Sequence, residues 1–257
     1  MRTILISGAS RGIGRAIAER MLADGHRLSL GLRDPKCLIG SSLDPAIAGS
    51  EQVFLHPYEA QDVNAAESWV SASLAHFNGF DSLIHCAGIF HRTPIRFNDN
   101  QQHEIDQLWQ VNVMGPWMLS RAAWSQLECH AEARIIVLVS MSGKRSKGRL
   151  AGYTVSKFAL MGLCQTMRNE GWEQGIRVTA ICPGWVNTDM AQEGIDGFAE
   201  ALNITSQQAY QEAMKQVPLG KMSEPKEIAQ FVGYLLSDQQ TSLTGQTIDI
   251  NNGALMP

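Results

Sequence analysis

The sequence predicts a doubly wound α/β fold, in which a seven-stranded, mostly parallel sheet has helices on both faces. Short aliphatic runs alternate with longer helix-like segments along the whole chain, which is the order of βαβ units. Several of these runs are apolar on both alternating faces, as expected for strands covered from two sides. No repeat, low-complexity tract or Pro/Gly/Ser linker divides the 257 residues. We therefore expect one domain over residues 1–257.

The predicted strands are short, and the predicted helices lie between them. The seven strands are Thr3–Ile6, Arg27–Leu32, Gln52–His56, Ser82–Cys86, Arg134–Ser140, Arg177–Cys182 and Gln246–Ile250. The clearest helices are Arg15–Ala23, Ala65–His76, His103–Leu127 and Lys226–Leu236.

The stretch from Thr188 to Pro218 interrupts this alternation. It is polar and weakly amphipathic, and it contains Gly194 and Gly197. It follows the strand that ends at Cys182, and ligands of doubly wound sheets bind at the carboxyl ends of strands. We therefore expect a lid over a cleft, around residues 188–218. A surface excursion without a special role is the alternative.

Composition and charge exclude several classes of protein. Hydrophobic residues make up 44% and charged residues 18%, which is unlike a disordered tail. The net charge of −4 is opposite to that of a protein that binds a nucleic-acid backbone. We therefore expect no nucleic-acid partner, while a local basic pocket for a small anion stays compatible with the sequence.

The cysteines predict neither a disulfide framework nor a zinc site. The chain has five of them, widely spaced and without a C-x-x-C motif, so we expect reduced thiols and no bound metal. The apolar run before Ser7 is too short for a signal-peptide core. The longest aliphatic run elsewhere, Ile135–Val139, is far shorter than the roughly 20 residues of a membrane span. A cytoplasmic chain without a membrane partner is the expectation.

A glycine-rich turn follows the first strand. Gly8 allows a tight turn, while Gly12 and Gly14 remove side chains where backbone approaches a pyrophosphate and where a helix packs on the sheet. The first N–H groups of the following helix then face the anion. The turn therefore predicts a nucleotide cofactor, and a purely structural turn is the alternative.

A tyrosine, a lysine and a serine form a candidate catalytic group. Tyr153 and Lys157 are four residues apart, so on a helix they share one face. A nearby ammonium lowers the pKa of a phenol from its usual value of about 10, which suits proton transfer to a carbonyl oxygen. Ser140 ends an aliphatic strand thirteen residues before Tyr153, and Ser142 is the competing hydroxyl. Alone, the Tyr–Lys pair is also compatible with a solvated helix face.

With these motifs, the chain resembles the short-chain dehydrogenase/reductase family over nearly its whole length. Ser7–Gly14 is similar to the family's T-G-x-x-x-G-x-G turn, and Ser140, Tyr153 and Lys157 match its serine, tyrosine and lysine in order and spacing. The motifs resemble those of 3-oxoacyl-carrier-protein reductase-like members. Further matches are His85–Gly88, Asn112, Pro183–Thr188 and the final "LTGQTIDINNG". The resemblance implies a single Rossmann-type domain.

The resemblance also implies a reaction and the roles of four residues. A hydride would move between a nicotinamide and a carbonyl or secondary alcohol. Tyr153 would be the general acid or base, Lys157 would hold the nicotinamide ribose and lower the tyrosine pKa, and Ser140 would orient the carbonyl. Asn112 would hold a water of a proton relay, and the alternative is a helix-bend residue without that role.

A set of cofactor-binding residues is implied in the same way. They are Gly8, Ser10, Arg11, Gly12, Ile13, Gly14, Arg33, Glu59, Ala60, Cys86, Ala87, Gly88, Tyr153, Lys157, Pro183, Gly184, Val186 and Thr188. His85 and Cys86 replace the family's two asparagines, so we expect the local hydrogen bonding to differ from the family's. We expect His85 to be a packing histidine with satisfied hydrogen bonds, and Cys86 to be structural.

The residues after the second strand predict the choice of nicotinamide cofactor. An acidic side chain at the strand end would bind the ribose 2′-OH and favour NAD, but Leu32 stands there. Arg33 and Arg11 are two guanidinium groups that can clamp a 2′-phosphate. We expect NADP(H). The alternative is NAD(H), because a shift of one or two residues would supply the carboxylate of Asp34.

The expected substrate pocket is apolar. Its candidate lining residues are Ile89, Phe90, Met141, Leu150, Trp185 and Met190. His91, Arg92 and Arg149 either meet an anionic group or are solvated loop charges. Carrier-protein reductases usually have basic residues where this chain has Glu128 and Glu132, so a free ketone, aldehyde or secondary alcohol is the expected substrate. A 3-oxoacyl-carrier-protein reductase is the alternative.

Two further expectations concern activity and assembly. A catalytically silent nucleotide-sensing protein is the alternative from another functional class, but such members typically lose the tyrosine or the lysine that this chain keeps. The resemblance implies a homotetramer, or less often a homodimer, with the long central helices between subunits. Candidate interface or core anchors are Trp109, Trp117, Trp124 and Phe158.

Overall fold

A computed structural model describes residues 1–146 and 148–256 of the chain. Its strands are β1 (Thr3–Ser7), β2 (Arg27–Leu32), β3 (Val53–Pro57), β4 (Ser82–His85), β5 (Arg134–Leu138), β6 (Arg177–Pro183) and β7 (Gln246–Ile250). They form one sheet in the order β3-β2-β1-β4-β5-β6-β7, and every neighbouring pair is parallel. The predicted seven-stranded doubly wound fold is confirmed, with strand ends that differ by one or two residues at five strands.

Helices cover both faces of this sheet. They are α1 (Gly12–Ala23), α2 (Pro45–Ala48), α3 (Ala65–Phe77), α4 (Asp99–Trp109), α5 (Gly115–Glu128), α6 (Ala151–Gly171), α7 (Asp189–Leu202), α8 (Ser206–Met214) and α9 (Pro225–Leu236). Alternating residues of β1 face different cores. Ile4 and Ile6 pack in the core with α1 and α9, whereas Leu5 packs in the core with α3, α5 and α6. This explains why the strands are apolar at successive positions. None of the helices in the described ranges is long and apolar enough to span a membrane.

The sheet topology places a ligand crevice beside β1. The chain builds outward from β1 to β3 on one side and from β4 to β7 on the other, so the strand order reverses between β1 and β4. In open α/β sheets the crevice at this reversal, at the carboxyl ends of the strands, is the usual ligand site. The glycine turn after β1 and the segment after β4 meet there.

The predicted continuous helix over His103–Leu127 is wrong, because a π-helical turn over Gln110–Met114 separates α4 from α5. Pro116 has no N–H to give to the carbonyl of residue 112, which favours an irregular turn. The side chain of Asn112, inside that turn, bonds to the backbone of Ile89. The bend therefore anchors the segment that follows β4.

The segment predicted as weakly amphipathic, Thr188–Pro218, contains two helices with strong apolar faces. Residues from α7 and α8 form a small third core, which includes Ile195, Ala199, Ala209 and Met214. Thr188 and Thr205 supply the N-caps, since their hydroxyls accept hydrogen bonds from Ala191 N and Gln208 N. The many polar residues of this stretch lie on the opposite faces of the two helices. Because they are so numerous, the helical period of the apolar residues was not recognised in the sequence.

Candidate active site

A cleft of about 580 Å³ lies at the carboxyl ends of the strands. Its walls are the glycine turn, the ends of β2, β4, β5 and β6, and one face of α7. Every residue predicted to bind the cofactor lines this cleft, and so does Ser140. Asn112 is the one predicted site residue that does not line it. Among the described residues, no group of three or more His, Cys, Asp or Glu side chains is placed to hold a metal ion.

The glycine turn has the shape that a pyrophosphate requires. Gly8 has φ +76°, and a Cβ there would lie 2.6 Å from the backbone nitrogen of Ala87. A Cβ on Gly14 would collide with the carbonyl of Gly8, so only glycine lets α1 pack this closely. Arg11, at the N-cap of α1, makes no side-chain capping bond. The first N–H groups of α1 border the cleft without a side-chain cap, which fits an anion of a nucleotide cofactor.

The hydroxyl of Ser7 joins β1 to the segment after β4. It accepts hydrogen bonds from the backbone nitrogens of Cys86 (3.2 Å) and Ala87 (3.3 Å). The serine therefore supplies a hydroxyl at the position where the family has threonine.

His85 and Cys86, which stand where the family has two asparagines, differ in their surroundings. His85 Nε2 bonds to Ser120 Oγ at 2.8 Å, but its buried Nδ1 has no partner among the described residues. Burial lowers the pKa of His85 to about 3, so the ring is neutral. The expected packing histidine is thus only half satisfied. Burial raises the pKa of the Cys86 thiol to about 12, which fits a structural cysteine rather than a reactive one.

Ser140, Tyr153 and Lys157 lie along one wall of the cleft. Tyr153 and Lys157 share a face of α6, and Lys157 Nζ is 5.7 Å from the centre of the Tyr153 ring. Lys157 Nζ also donates to the carbonyl of Leu138, the last residue of β5 (3.3 Å). Ser140 starts the 3₁₀ turn after β5, and its Oγ accepts a bond from Ser142 N (3.0 Å). Strand end and helix therefore meet at one sheet edge.

Burial is the largest influence on the ionisation of the tyrosine and the lysine. It raises the pKa of Tyr153 above its usual value, and the nearby Ser140 hydroxyl, which can bond to the phenolate, acts in the opposite direction. Burial also lowers the pKa of Lys157 to about 8. The expectation of a lowered tyrosine pKa is therefore wrong for the chain by itself, because desolvation outweighs the hydrogen bond with Ser140, which is the influence that lowers it.

Asn112 lies behind the cleft wall and is fully buried. Its Oδ1 accepts from Ile89 N (2.9 Å), while its Nδ2 donates to Ile89 O (3.0 Å) and to Ser156 Oγ (3.1 Å). A Cβ on Gly88 would touch both Asn112 Oδ1 and Lys157 Nζ, so these two groups approach the same point of the wall. The side chain fixes the loop after β4, and its oxygen keeps one lone pair for a further donor.

At the end of β2, Arg33 lies on the cleft wall and Asp34 does not. The strand ends at Leu32, and Arg33 follows it on the cleft wall. The carboxylate of Asp34 accepts from Lys36 N (3.0 Å), which caps a short 3₁₀ turn, and Asp34 is not among the cleft residues. Arg11 Nη1 is 3.2 Å from Asp189 Oδ2, an ion pair between the glycine turn and the first turn of α7.

The other end of the cleft is largely apolar. All six predicted pocket residues line it, and the Phe90 ring packs edge-on against Tyr153 with 5.0 Å between ring centres. Arg92 also lines the cleft, whereas His91 and Arg149 do not. Four more lining residues belong to the segment 188–218 that was expected over the cleft, although the sequence did not single them out as lining residues: Gly194, Phe198, Ala213 and Gln216. The spacing of four from Met190 to Gly194 and Phe198 is the helical signal that would have found the first two.

Comparisons with known proteins agree with this geometry. A family model described as enoyl-(acyl carrier protein) reductase matches residues 8–254. The chain is 30% identical to a short-chain dehydrogenase/reductase of Armillaria gallica, over 98% of this chain and 95% of that one. It is 29% identical to the 3-oxoacyl-(acyl-carrier-protein) reductase FabG of Escherichia coli, over 98% and 96%. It is also 36% identical, over 73% of its length, to agropine synthesis reductase of Rhizobium rhizogenes, of which the match spans 43%.

Solved structures show the same fold. Levodione reductase has a TM-score of 0.89 at 26% identity, and the match covers 98% of this chain and 96% of that one. Actinorhodin polyketide ketoreductase with NADPH has a TM-score of 0.90 at 24% identity, covering 98% and 97%. At that level of identity the second likeness speaks for the fold alone.

Proposed function

The chain belongs to the short-chain dehydrogenase/reductase family of oxidoreductases, and on that premise we propose that it is an NADP(H)-dependent enzyme for a carbonyl or secondary alcohol substrate, with Tyr153 as general acid or base. The observation that carries the proposal is the position of Ser140, Tyr153 and Lys157 on one wall of a cleft that also contains the glycine turn. The proposed substrate is a free ketone, aldehyde or secondary alcohol that is not attached to a carrier protein.

The proposed chemistry divides the work between cofactor and chain. The nicotinamide, when bound, supplies or accepts the hydride. The Tyr153 phenol gives its proton to the substrate oxygen in reduction and takes it back in oxidation. A raised tyrosine pKa keeps the phenol protonated, as reduction needs. The Ser140 hydroxyl donates to the same substrate oxygen and stabilises the charge that develops there.

Lys157 and Asn112 would support the proton transfer from behind. The Lys157 ammonium would bind the ribose hydroxyls of the nicotinamide half and stabilise the phenolate left after proton transfer. We place a water between Asn112 Oδ1 and Lys157 Nζ, because both groups approach the wall at Gly88. That water would return a proton to Lys157, and Lys157 would return one to Tyr153. In this role Asn112 is a positioning residue.

The preference for NADP(H) is supported by the residues after β2. At the end of β2 itself, Leu32 and Arg33 line the cleft, whereas the carboxylate of Asp34 caps a 3₁₀ turn and Asp34 is not among the cleft residues. Arg33 and Arg11 both line the cleft and would bind the 2′-phosphate. Glu59 and Ala60 lie further along this wall and would contact the adenine.

A panel of ketones, aldehydes and secondary alcohols tests the proposal, with NADPH and NADH compared by absorbance. We expect oxidation of NADPH with at least one carbonyl substrate and a loss of turnover of at least about 100-fold in Tyr153→Phe. Unchanged turnover in that variant would refute the role of the phenol. Binding of NADPH without turnover of any member would favour the catalytically silent nucleotide-sensing alternative.

A 3-oxoacyl-carrier-protein reductase remains the second candidate, favoured by the 29% identity to FabG over nearly the whole chain. The acidic residues Glu128 and Glu132, at and after the end of α5, speak against an acidic carrier protein. Comparing the same 3-oxoacyl group on a carrier protein and as a free thioester separates the two. A clear preference for the carrier-bound form would support the second candidate.

We further propose a homotetramer of single-domain chains, with a homodimer as the alternative. Trp109, Trp117 and Phe158 are exposed on α4, α5 and α6, which fits interface anchors, whereas Trp124 packs on the core with α3 and α5.

We also propose that residues 188–218 act as a lid, and protection of this segment from protease by NADPH tests that role. The free cysteines fit a cytoplasmic location, which cell fractionation tests.

A further inference from the structure

Arg92 is a cation at the largely apolar end of the cleft. Its guanidinium lies between the loop after β4 and helix α7, where Nη1 donates to the carbonyl of Gly194 (3.3 Å). Phe90 and Phe198 line the same part of the cleft. The guanidinium is thus part of the surface that a substrate touches, not of the cofactor end where Arg11 and Arg33 lie.

No carboxylate within the described part of the chain forms an ion pair with this guanidinium. None of the ion pairs within residues 1–146 and 148–256 includes Arg92, and the neighbouring His91 faces Glu104 at 4.0 Å. Burial lowers the pKa of Arg92, and so does the positive charge of Arg149. A half-buried cation beside a second cation is stabilised by an anion.

The side chain of Arg92 packs closely against helix α7 at Gly197. A Cβ on Gly197 would lie 2.8 Å from Arg92 Cδ, closer than a real side-chain contact. Glycine weakens a helix interior relative to alanine, so its presence here has a cost in helix stability. In return the missing side chain gives the arginine a groove. The position of the guanidinium is therefore built by the lid helix as well as by the loop.

We propose that Arg92 binds an anionic group of the substrate, so that the substrate is a ketone or secondary alcohol that also carries a carboxylate or a phosphate. The inference rests on the proposed function and names the substrate class of that site. The planar fork of a guanidinium matches both kinds of oxygen anion. Phe90 packs against Tyr153, and Arg92 lines the same cleft as both rings, so the site would hold the substrate carbonyl at the phenol and its anionic group at the guanidinium.

Matched substrates and variants test the anion site. The substrates are acetoacetate, its neutral methyl ester and dihydroxyacetone phosphate, and the variants are Arg92→Gln and Gly197→Ala. Arg96→Gln is the control, because Arg96 is an exposed arginine of the same loop that does not line the cleft. The acid and phosphate arms distinguish which anion the site takes.

We expect the wild type to prefer an anionic substrate over the ester. Arg92→Gln should lower kcat/KM for that substrate by about 10- to 100-fold, mainly through KM, as the loss of a charge-assisted hydrogen bond does. Gly197→Ala should act in the same direction without a loss of thermal stability. The ester should change less than about threefold, as should every substrate in the control variant. Equal losses for acid and ester, or a wild type that prefers the ester, would overturn the proposal.

Calorimetry separates this inference from the proposed function. If no carbonyl compound is reduced, the proposed function fails, and binding of acetoacetate and its ester to the NADPH-loaded protein then decides the site. Binding of the acid that is lost in Arg92→Gln supports the site. Equal binding in the wild type and the variant contradicts it.

Discussion

Tyr153 and Lys157 share a buried wall of the cleft, and burial shifts their pKa values in opposite directions. Removing either side chain from water favours its neutral form, so the phenol keeps its proton and the amine holds its proton less firmly. Carbonyl reduction needs a protonated phenol and a charged ammonium beside it. The pair is thus set for reduction at pH values below the pKa of Lys157.

This arrangement predicts the pH dependence of carbonyl reduction. Because the pKa of Lys157 is about 8, its charged fraction falls as the pH rises through that value. We expect kcat/KM to decline above that pH, in a profile measured from about pH 6 to about pH 10. Lys157→Arg should move the decline to higher pH, since a guanidinium stays charged there. A profile that is flat across the alkaline range would contradict the role of the ammonium.

Arg33 carries the prediction for cofactor choice. Arg33→Ala should weaken NADPH binding by about 10- to 100-fold, as expected for the loss of a charge-assisted hydrogen bond to the 2′-phosphate. NADH binding should change little, because NADH lacks that phosphate. Equilibrium binding followed by fluorescence measures both constants, and Arg20→Ala, which removes the ion pair to Asp24 on α1, is the control. Equal losses for both cofactors would show that Arg33 does not read the phosphate.

At the scale of single residues, the sequence predicts positions that follow from spacing. It does not predict properties that depend on burial, such as a pKa or an unpaired polar atom. The interval from Ser140 to Tyr153 and Lys157 follows from a strand that ends where a helix begins, and the structure has both elements. The direction of the tyrosine pKa depends on how much water reaches the phenol, which no spacing encodes. The unpaired Nδ1 of His85 depends in the same way on its buried surroundings.

Among elements, helix α7 joins the two ends of the cleft. Its first residue, Asp189, pairs with Arg11 of the glycine turn, and Gly194 and Gly197 further along it accommodate Arg92. A change at either end of the cleft therefore reaches the same helix. This helix and α8 were the elements that the sequence predicted least well, because their apolar residues are small or widely separated by polar ones.

The ion pair between Arg11 and Asp189 competes with the proposed binding of a 2′-phosphate. Asp189→Asn should release the guanidinium and tighten NADPH binding, by no more than about fivefold because exposed ion pairs contribute about 0–1 kcal/mol. NADH binding should stay the same. Glu193→Gln removes an exposed charge from the same helix and serves as the control. Weaker NADPH binding in Asp189→Asn, or an equal gain for NADH, would contradict the competition.

The regular elements were predictable because their signals are local. Aliphatic runs located the seven strands, and the helix predicted after the glycine turn, Arg15–Ala23, begins three residues later than α1. The π turn at Asn112 was not predictable, since it depends on a contact with the distant residue Ile89. Irregular helix geometry of this kind follows from tertiary contacts and not from helix propensity.

For the whole molecule, assembly is the property to test. We expect sedimentation to give a mass four times that of the 28.2 kDa chain. Trp117→Glu should dissociate the assembly, because it places a charge on an exposed aromatic position of α5. Trp172→Glu, at an exposed tryptophan beyond the end of α6, should leave the mass unchanged. A wild-type monomer would contradict the proposed assembly.

The charges of the molecule are distributed unevenly. The net charge is −4, yet Arg11, Arg33, Arg92 and Lys157 all line one cleft, where they outnumber the acidic Glu59 and Asp189. Positive charge is therefore concentrated where phosphate or carboxylate groups would bind, on a chain that is acidic on average.

The central claim is that this cleft moves a hydride from a nicotinamide to a carbonyl carbon with a proton from Tyr153. The most direct measurement uses NADPH that carries deuterium at the transferred position of nicotinamide C4 and a carbonyl compound from the panel. We predict deuterium on the carbinol carbon of the product with the wild type, and almost none with Tyr153→Phe at equal occupancy by NADPH. Product without deuterium, or equal transfer by Tyr153→Phe, would contradict the account.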